Sequence, residues 1–439
     1  AQGQLRASGE MFLALCFAFL WHDVVATITT HPQSDCFFYG GRWKHIDGAR
    51  PAAKSDWTCS DLQFAVHVTA DGASAGHVLL PLYLKAPRVR LNVTFRDAYA
   101  GNLYENASVT VVGPWFTLGS ADDPYVVWVP VPSAALPSVG LSTLTVVSVQ
   151  KLTTAEPFGA GIGARLLPAS TVDFFGLGDA ESTFHVTYTP PPIKARATSI
   201  RRYIAIGASD TAGYCVDGNF PSTPVLTGWE YVNCGMAYAH VLARDHFYPM
   251  ALTVLGISGI GVMQNSAAQQ SWQMGTVPMP GYFPRAIQSD PSSVWEFAAE
   301  VQPDLVTVSL GGNDYNHQKG LMPTNASFTR HYVAFLGELF TKYPTNRTSV
   351  VAVCGMGDPL ETQADPDNNR CRPCAHVEMA VETFKTAQPQ SRLHYIFVPC
   401  DGSVVTGTDD IGCDGHKNRI GQAKVAEFLA PRLAEIMDW

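Results

Sequence analysis

The sequence predicts an α/β protein in two parts. An antiparallel β-sandwich of the jelly-roll kind comes first, and a three-layer domain with a parallel sheet between helices follows. Two observations carry this. Apolar residues alternate with polar ones at period two up to about residue 189. After Pro190, Pro191 and Pro192 the pattern becomes short apolar runs separated by helical stripes. A length of 439 residues exceeds what one hydrophobic core needs, which fits two domains.

The first part covers residues 31–189. Val89, Leu91, Val93 and Phe95 share one face of an expected strand. So do Phe64, Val66 and Val68, and again Phe184, Val186 and Tyr188. Such alternation, broken by Gly, Pro and Asp turns, marks strands with one face buried and one in water. Several in succession make a sandwich.

Three prolines favour stiff, extended chain, so residues 190–199 are expected to link the domains. Within 200–439, apolar runs at 203–207, 251–257, 305–310, 349–354 and 393–398 read as buried strands of a parallel sheet. Phe328, Tyr332, Phe335, Leu336, Leu339 and Phe340 form a helical stripe over 327–343, with Ser327 as the expected N-cap. A last helix is expected over 420–437, kinked or split at Pro431.

Composition excludes several classes. With 46% hydrophobic and 15% charged residues the chain is globular rather than disordered. A net charge of -9 without a dense Lys/Arg run argues against nucleic acid or an anionic membrane as partner. The apolar run from Met11 to Trp21 is too short to span a bilayer and fits the core of a signal peptide. Val24 and Ala26 are small residues placed for cleavage, so 1–26 is an expected leader and the protein is expected to be secreted. Sequons at Asn92, Asn106, Asn325 and Asn346, together with ten cysteines, point to the same oxidising route. Without Cys16 of the leader nine cysteines remain, so one is left over.

In an open parallel sheet, function gathers beyond the carboxyl ends of the strands. The first run leads into Gly207-Ala208-Ser209-Asp210, the second into Ser258-Gly259-Ile260-Gly261, and the third into Gly311-Gly312-Asn313-Asp314. Cys413-Asp414-Gly415-His416 precedes the last helix. A serine hydroxyl becomes a nucleophile when a base takes its proton, and histidine has a suitable pKa. Backbone N–H groups in glycine turns and an Asn amide can hold the oxyanion of a tetrahedral intermediate. The parts suit acyl transfer.

In this order, the four blocks resemble the SGNH (GDSL-like) hydrolase superfamily. Within it they are similar to the two-domain acetyl esterases of carbohydrate esterase family 2. Residues 238–244, 279–282 and 303–306 extend the resemblance. Residues 36–43, with Tyr39-Gly40-Gly41-Arg42, resemble the opening strand of that family's first domain. The resemblance implies Ser209 as nucleophile and His416 as base. It implies an oxyanion hole from the Ser209 and Gly259 N–H groups and the Asn313 side-chain amide. The implied reaction deacetylates sugar hydroxyls through an acetyl-serine, with acetylated carbohydrate as partner and no metal or organic cofactor.

Two positions depart from the pattern. Ala208 stands where most of the superfamily has the Asp of Gly-Asp-Ser, and Asp210 follows the Ser instead. The usual triad acid lies three residues before the His, where this chain has Cys413; Asp414 lies two before, the spacing of the resembled family. Asp414 is therefore a supporting acid, or a backbone carbonyl orients the imidazole. A lipid-acyl esterase, or a binding glycoprotein with a decayed site, stays open on the same scaffold.

Around the site, Tyr214, Trp229, Trp272, Tyr282 and Tyr315 either stack on sugar rings or pack in the core. His317 is a rival base, and Asp314 is expected to hold its loop. Cys371, Cys374 and His376 have a zinc-like spacing but no fourth ligand, so disulfides are favoured. Asp365, Asp367 and Asn369 start like a calcium loop, but Arg370 occupies the glycine position. Bridges Cys215–Cys234 and Cys400–Cys413 are expected to brace the two catalytic loops.

Overall fold

The computed structural model describes residues 28–48, 51–70, 76–85, 89–98, 103–111, 125–152, 171–191, 200–219, 231–267, 276–316, 321–344, 346–356, 371–413 and 415–439. The expected leader, Trp229, Trp272, His317, Asp414, the 365–369 segment and most of the expected linker lie outside them.

Two antiparallel sheets come first. In one, Asp61–Thr69 pairs with Ser142–Lys151, which pairs in turn with Val89–Asp97. His185–Thr189 flanks Asp61–Thr69 on the other side. In the second, Val78–Lys85 pairs with Val172–Gly178, which pairs with Ala52–Ser55. The predicted alternation is what the sheets use. Phe64, Val66, Val68, Val93 and Phe95 face Val78, Leu80, Leu82, Leu84 and Phe174 in one buried cluster.

The five expected parallel strands follow, at Arg201–Gly207, Met250–Gly256, Leu305–Ser309, Ser349–Cys354 and Leu393–Phe397. Met250–Gly256 forms one edge, and Arg201–Gly207 lies between it and Leu305–Ser309; the last two strands follow in order. The strands are buried on both faces. Ile206, Val306, Val308 and Val350 pack against Phe328, Tyr332 and Phe335 of helix Asn325–Lys342 and against Val377 of helix Cys374–Ala387. Their alternates Tyr203, Ala205, Leu305 and Val351 pack against Tyr238 and against Val425 and Leu429 of helix Arg419–Met437. Burial of both faces explains why these strands read as apolar runs rather than alternating ones. The order reverses around Arg201–Gly207, which puts the crevice at the carboxyl end of that strand.

Two local expectations change. The N-cap of helix Asn325–Lys342 is Thr324, whose hydroxyl accepts from the Ser327 N–H at 3.2 Å; Ser327 lies inside the helix. Pro431 does not split the last helix, which runs unbroken from Arg419 to Met437. Its ring faces solvent, while Ala426, Leu429, Ala430 and Leu433 hold the helix to the sheet from the buried side. Packing overrides the local cost of the proline.

The antiparallel part is fastened to the parallel sheet. Arg42 is fully buried; its guanidinium donates to the carbonyls of Phe283 and Arg285 and lies over the rings of Trp57 and Trp295. Asp56 accepts from the Gln288 and Ser289 N–H groups, and Cys59 is bonded to Cys234. Among the described residues no helix is long and apolar enough to cross a membrane.

Candidate active site

Ser209 opens a one-turn helix, Ser209–Ala212, directly after the first parallel strand. Ala208 has non-helical dihedrals (φ -102, ψ -146), so the chain bends sharply there and leaves Ser209 half-buried at the sheet's end. The bend needs close approach. A Cβ at Gly256, the last residue of the neighbouring strand, would fall 2.8 Å from the Ala212 nitrogen. Tyr238 supports the helix from the side, its hydroxyl 3.0 Å from Thr211 Oγ1.

His416 meets this serine across 207 residues of sequence: Nε2 lies 2.7 Å from Ser209 Oγ. The loop that carries it is tight. The His416 N–H donates to the Cys413 carbonyl at 3.1 Å, and the His416 carbonyl accepts from the Gly412 N–H at 2.6 Å. The Tyr214 ring stands edge-on to the imidazole, with centroids 4.8 Å apart.

The other two blocks meet beside them. Gly259 occupies the left-handed region (φ 72), which aims the turn after the second strand. The Asn313 side-chain amide donates to the Ile260 carbonyl at 2.9 Å, so it is held against that same turn. Asp314 locks the two loops together. Its buried carboxylate accepts from the N–H groups of Val262, Met263 and Gln264 at 3.0, 2.7 and 3.0 Å. Burial pushes its pKa up to about 6, against the pull of those three donors. The expected loop-holding part of Asp314 is what the geometry gives.

One arrangement has no counterpart in the sequence reading. Lys417 Nζ lies 3.1 Å from Asp210 Oδ2, with the lysine side chain 0% and the aspartate 15% exposed. The residue after the serine is thus paired with the residue after the histidine. Gln422 adds a bond to the Asp210 carbonyl at 3.2 Å, and the Arg419 N–H one to the Val216 carbonyl at 3.2 Å. Two acidic or basic residues directly following catalytic candidates, with opposite charges, were the available signal.

The expected disulfides are corrected. Cys215 is bonded to Cys413 rather than to Cys234, and Cys400 to Cys371 rather than to Cys413. Cys234 is taken by Cys59 of the antiparallel part, and Cys354 pairs with Cys374. The reason is that the loop after Ser209 and the loop before His416 lie side by side, so the nearest thiol in space belongs to the other loop. Cys371 and Cys374 are both in bridges, which removes the zinc reading. Among the described residues, Cys36 is the cysteine left over. Among the described residues no group of three or more His, Cys, Asp or Glu side chains is placed to hold a metal.

Tyr214, Tyr282 and Tyr315 are all buried, and the latter two belong to the main core. Their burial fits core packing, whereas stacking on a sugar needs an open ring face. Of the sequons, Asn325 and Asn346 are exposed and Asn92 is half-buried on the outer side of its strand; the Asn106 side chain lies outside the description.

No protein-family model matches the chain, and no curated protein does. Solved structures do. A family two carbohydrate esterase from Clostridium thermocellum, in complex with cellohexaose, is 18% identical with a TM-score of 0.64, covering 92% of this chain and 99% of that one. The chain has the fold of the family two carbohydrate esterases. An enzyme of that family with a carbohydrate binding domain, from Corynascus thermopiles, is 20% identical with a TM-score of 0.61, covering 92% and 100%. An acetyl xylan esterase (Est2A) from Butyrivibrio proteoclasticus is 13% identical with a TM-score of 0.66, covering 94% and 99%.

Proposed function

We propose that this chain is a secreted serine esterase that removes O-acetyl groups from carbohydrate through an acetyl-serine intermediate. The observation that carries this reading is the 2.7 Å contact between His416 Nε2 and Ser209 Oγ. That is within the range for direct proton transfer.

The steps follow from the groups present. His416 takes the Ser209 proton as Oγ attacks the acetyl carbonyl. The oxyanion forms against the Ser209 and Gly259 N–H groups and the Asn313 amide; one Asn313 hydrogen is committed to Ile260 and the second serves the oxyanion. Collapse breaks the bond to the sugar oxygen, which leaves with the proton from His416. Water then attacks the acetyl-serine, giving its proton to the imidazole, and acetate leaves as Ser209 regains a proton. Asp414 or a backbone carbonyl orients the imidazole in this scheme, and no metal or organic cofactor takes part.

Two wider readings belong to the proposal. The antiparallel sheets form a jelly-roll domain over 31–189, joined by 190–199 to a three-layer hydrolase domain over 200–439. Residues 1–26 act as a leader, a route that suits the four disulfides. Fold likeness to an acetyl xylan esterase makes acetylated xylan the first polysaccharide to try.

The test is acetate release from acetylated xylan, run beside nitrophenyl esters of increasing chain length. Acetate release, a sharp preference for acetyl, and its loss in Ser209→Ala support the reading. Activity that rises with acyl length points to a lipid-acyl esterase, and an inert wild-type protein to a decayed site; either outcome overturns it.

A further inference from the structure

We propose that Asp210 and Lys417 are positioning residues, and that their ion pair holds the His416 imidazole in register with the Ser209 hydroxyl. The proposal rests on the esterase reading and adds to it the element that sets the nucleophile–base distance.

The argument is one of geometry. Ser209 and His416 lie on separate loops, 207 residues apart, and must be held to a few tenths of an ångström for proton transfer. Each is followed at once by one member of the pair, and the pair spans the same gap: Lys417 Nζ to Asp210 Oδ2 is 3.1 Å. Asp210 sits in the first turn of the helix that begins at Ser209, so its movement is transmitted to the nucleophile within one residue. Lys417 sits in a short antiparallel bridge with Ile411 at the neck of the histidine loop, so it moves with His416. The loop between those bridged residues is the one that carries the imidazole.

Burial gives the pair its grip. The lysine side chain is wholly excluded from water. A buried charge without its partner is strongly unfavourable, so the loops cannot drift apart while both charges stay inside. An exposed pair at the same distance would be screened and would hold little. Stability alone does not explain the choice, because apolar residues of similar size fill such sites at least as well. A pair that is costly to separate is useful where a distance must be kept. This also answers the absence of the usual Asp before the serine: the support of the nucleophile loop comes from the residue after it.

The test uses the whole chain with nitrophenyl acetate, reading kcat and KM separately, together with thermal melting and the rate at which a fluorophosphonate probe labels Ser209. Lys417→Met and Asp210→Asn should each lower kcat at least 30-fold, with KM within 2-fold and probe labelling slowed in parallel. Either single variant leaves a buried charge and can fail to fold. The double variant Asp210→Asn/Lys417→Met removes both charges and should recover the melting temperature while kcat stays low. Lys417→Arg, which keeps the charge, should recover part of kcat. If kcat of the folded double variant lies within 2-fold of wild type, the pair only stabilises the fold and the proposal is overturned. If wild type neither hydrolyses the ester nor takes the probe, the esterase reading itself fails, and the positioning role goes with it.

Discussion

Cys215 and Cys413 are joined by a disulfide across 198 residues of sequence. Cys215 lies in the turn after helix Ser209–Ala212, and the Cys413 carbonyl accepts from the His416 N–H. The bond therefore connects the backbone of the Ser209 loop to that of the His416 loop. Removing a native disulfide of this span costs about 2–5 kcal/mol. The double variant Cys215→Ser/Cys413→Ser should melt well below wild type. Below its melting point its kcat should also fall, by roughly 10-fold or more, because the loops regain relative freedom. Nitrophenyl acetate kinetics at a temperature where both proteins are folded check this; unchanged kcat would show that the bridge serves stability alone.

Asn313 offers a cleaner test of the proposed oxyanion hole. Its amide is held by the Ile260 carbonyl at 2.9 Å, so it is aimed before substrate arrives. Losing one preorganised donor typically lowers kcat by about 10²–10³. Asn313→Ala should do so with KM little changed, since the donor acts on charge that develops in the transition state. A loss confined to KM would place Asn313 in substrate binding instead.

How much of this was legible beforehand differs by kind of information. The sheets were readable because burial imposes a period: Phe64, Val66 and Val68 alternate since one face is covered, and Val350 to Val353 are uniformly apolar since both are. That Ser209, Gly259 and Asn313 lie just beyond the ends of three parallel strands was readable because apolar runs end where those loops begin. What failed depended on which loops meet in space. Nearness in sequence pairs Cys215 with Cys234, while their partners in the fold are 198 and 175 residues away. Tyr282 and Tyr315 look alike in sequence whether buried or open. Lys417 carries as its signal only a charge opposite to that of Asp210 and a place directly after His416; that the two meet depends on the fold.

Asp314 predicts a pH dependence of stability. Burial raises its pKa in the folded protein to about 6, above the ordinary 3.8. A raised folded pKa means that the folded state holds the proton more tightly than the unfolded chain. The resulting stabilisation is complete below 3.8 and is lost as pH rises through about 6. A shift of this size corresponds to on the order of 3 kcal/mol. Asp314→Asn cannot titrate, so the stability gap between wild type and variant should be wider near pH 4 than at pH 7. Urea unfolding at the two pH values measures it. A gap that is constant, or wider at pH 7, contradicts the assignment. The variant should also lose kcat, because one amide oxygen replaces two carboxylate oxygens for the three N–H groups of Val262, Met263 and Gln264.

Arg42 bridges the antiparallel part and the part that carries the parallel sheet. Its guanidinium leaves the antiparallel part, donates to the Phe283 and Arg285 carbonyls, and lies 5.1 Å from the Trp295 ring centre and 5.4 Å from that of Phe283. Arg42→Ala leaves two carbonyls without their donor and opens a cavity among the rings of Trp57, Phe283, Trp295 and Phe297, a loss of about 3–5 kcal/mol. Lysine should not rescue it, because an ammonium can neither stack flat between rings nor reach both carbonyls with a rigid fork. The Cys59–Cys234 bridge survives in the variant, so the parts stay attached while their packing is lost. Thermal unfolding followed by tryptophan fluorescence should therefore change from one transition to two, since Trp57 and Trp295 report on the contact itself. A single transition at the wild-type temperature would mean that the bridge and the Asp56 contacts couple the parts without Arg42.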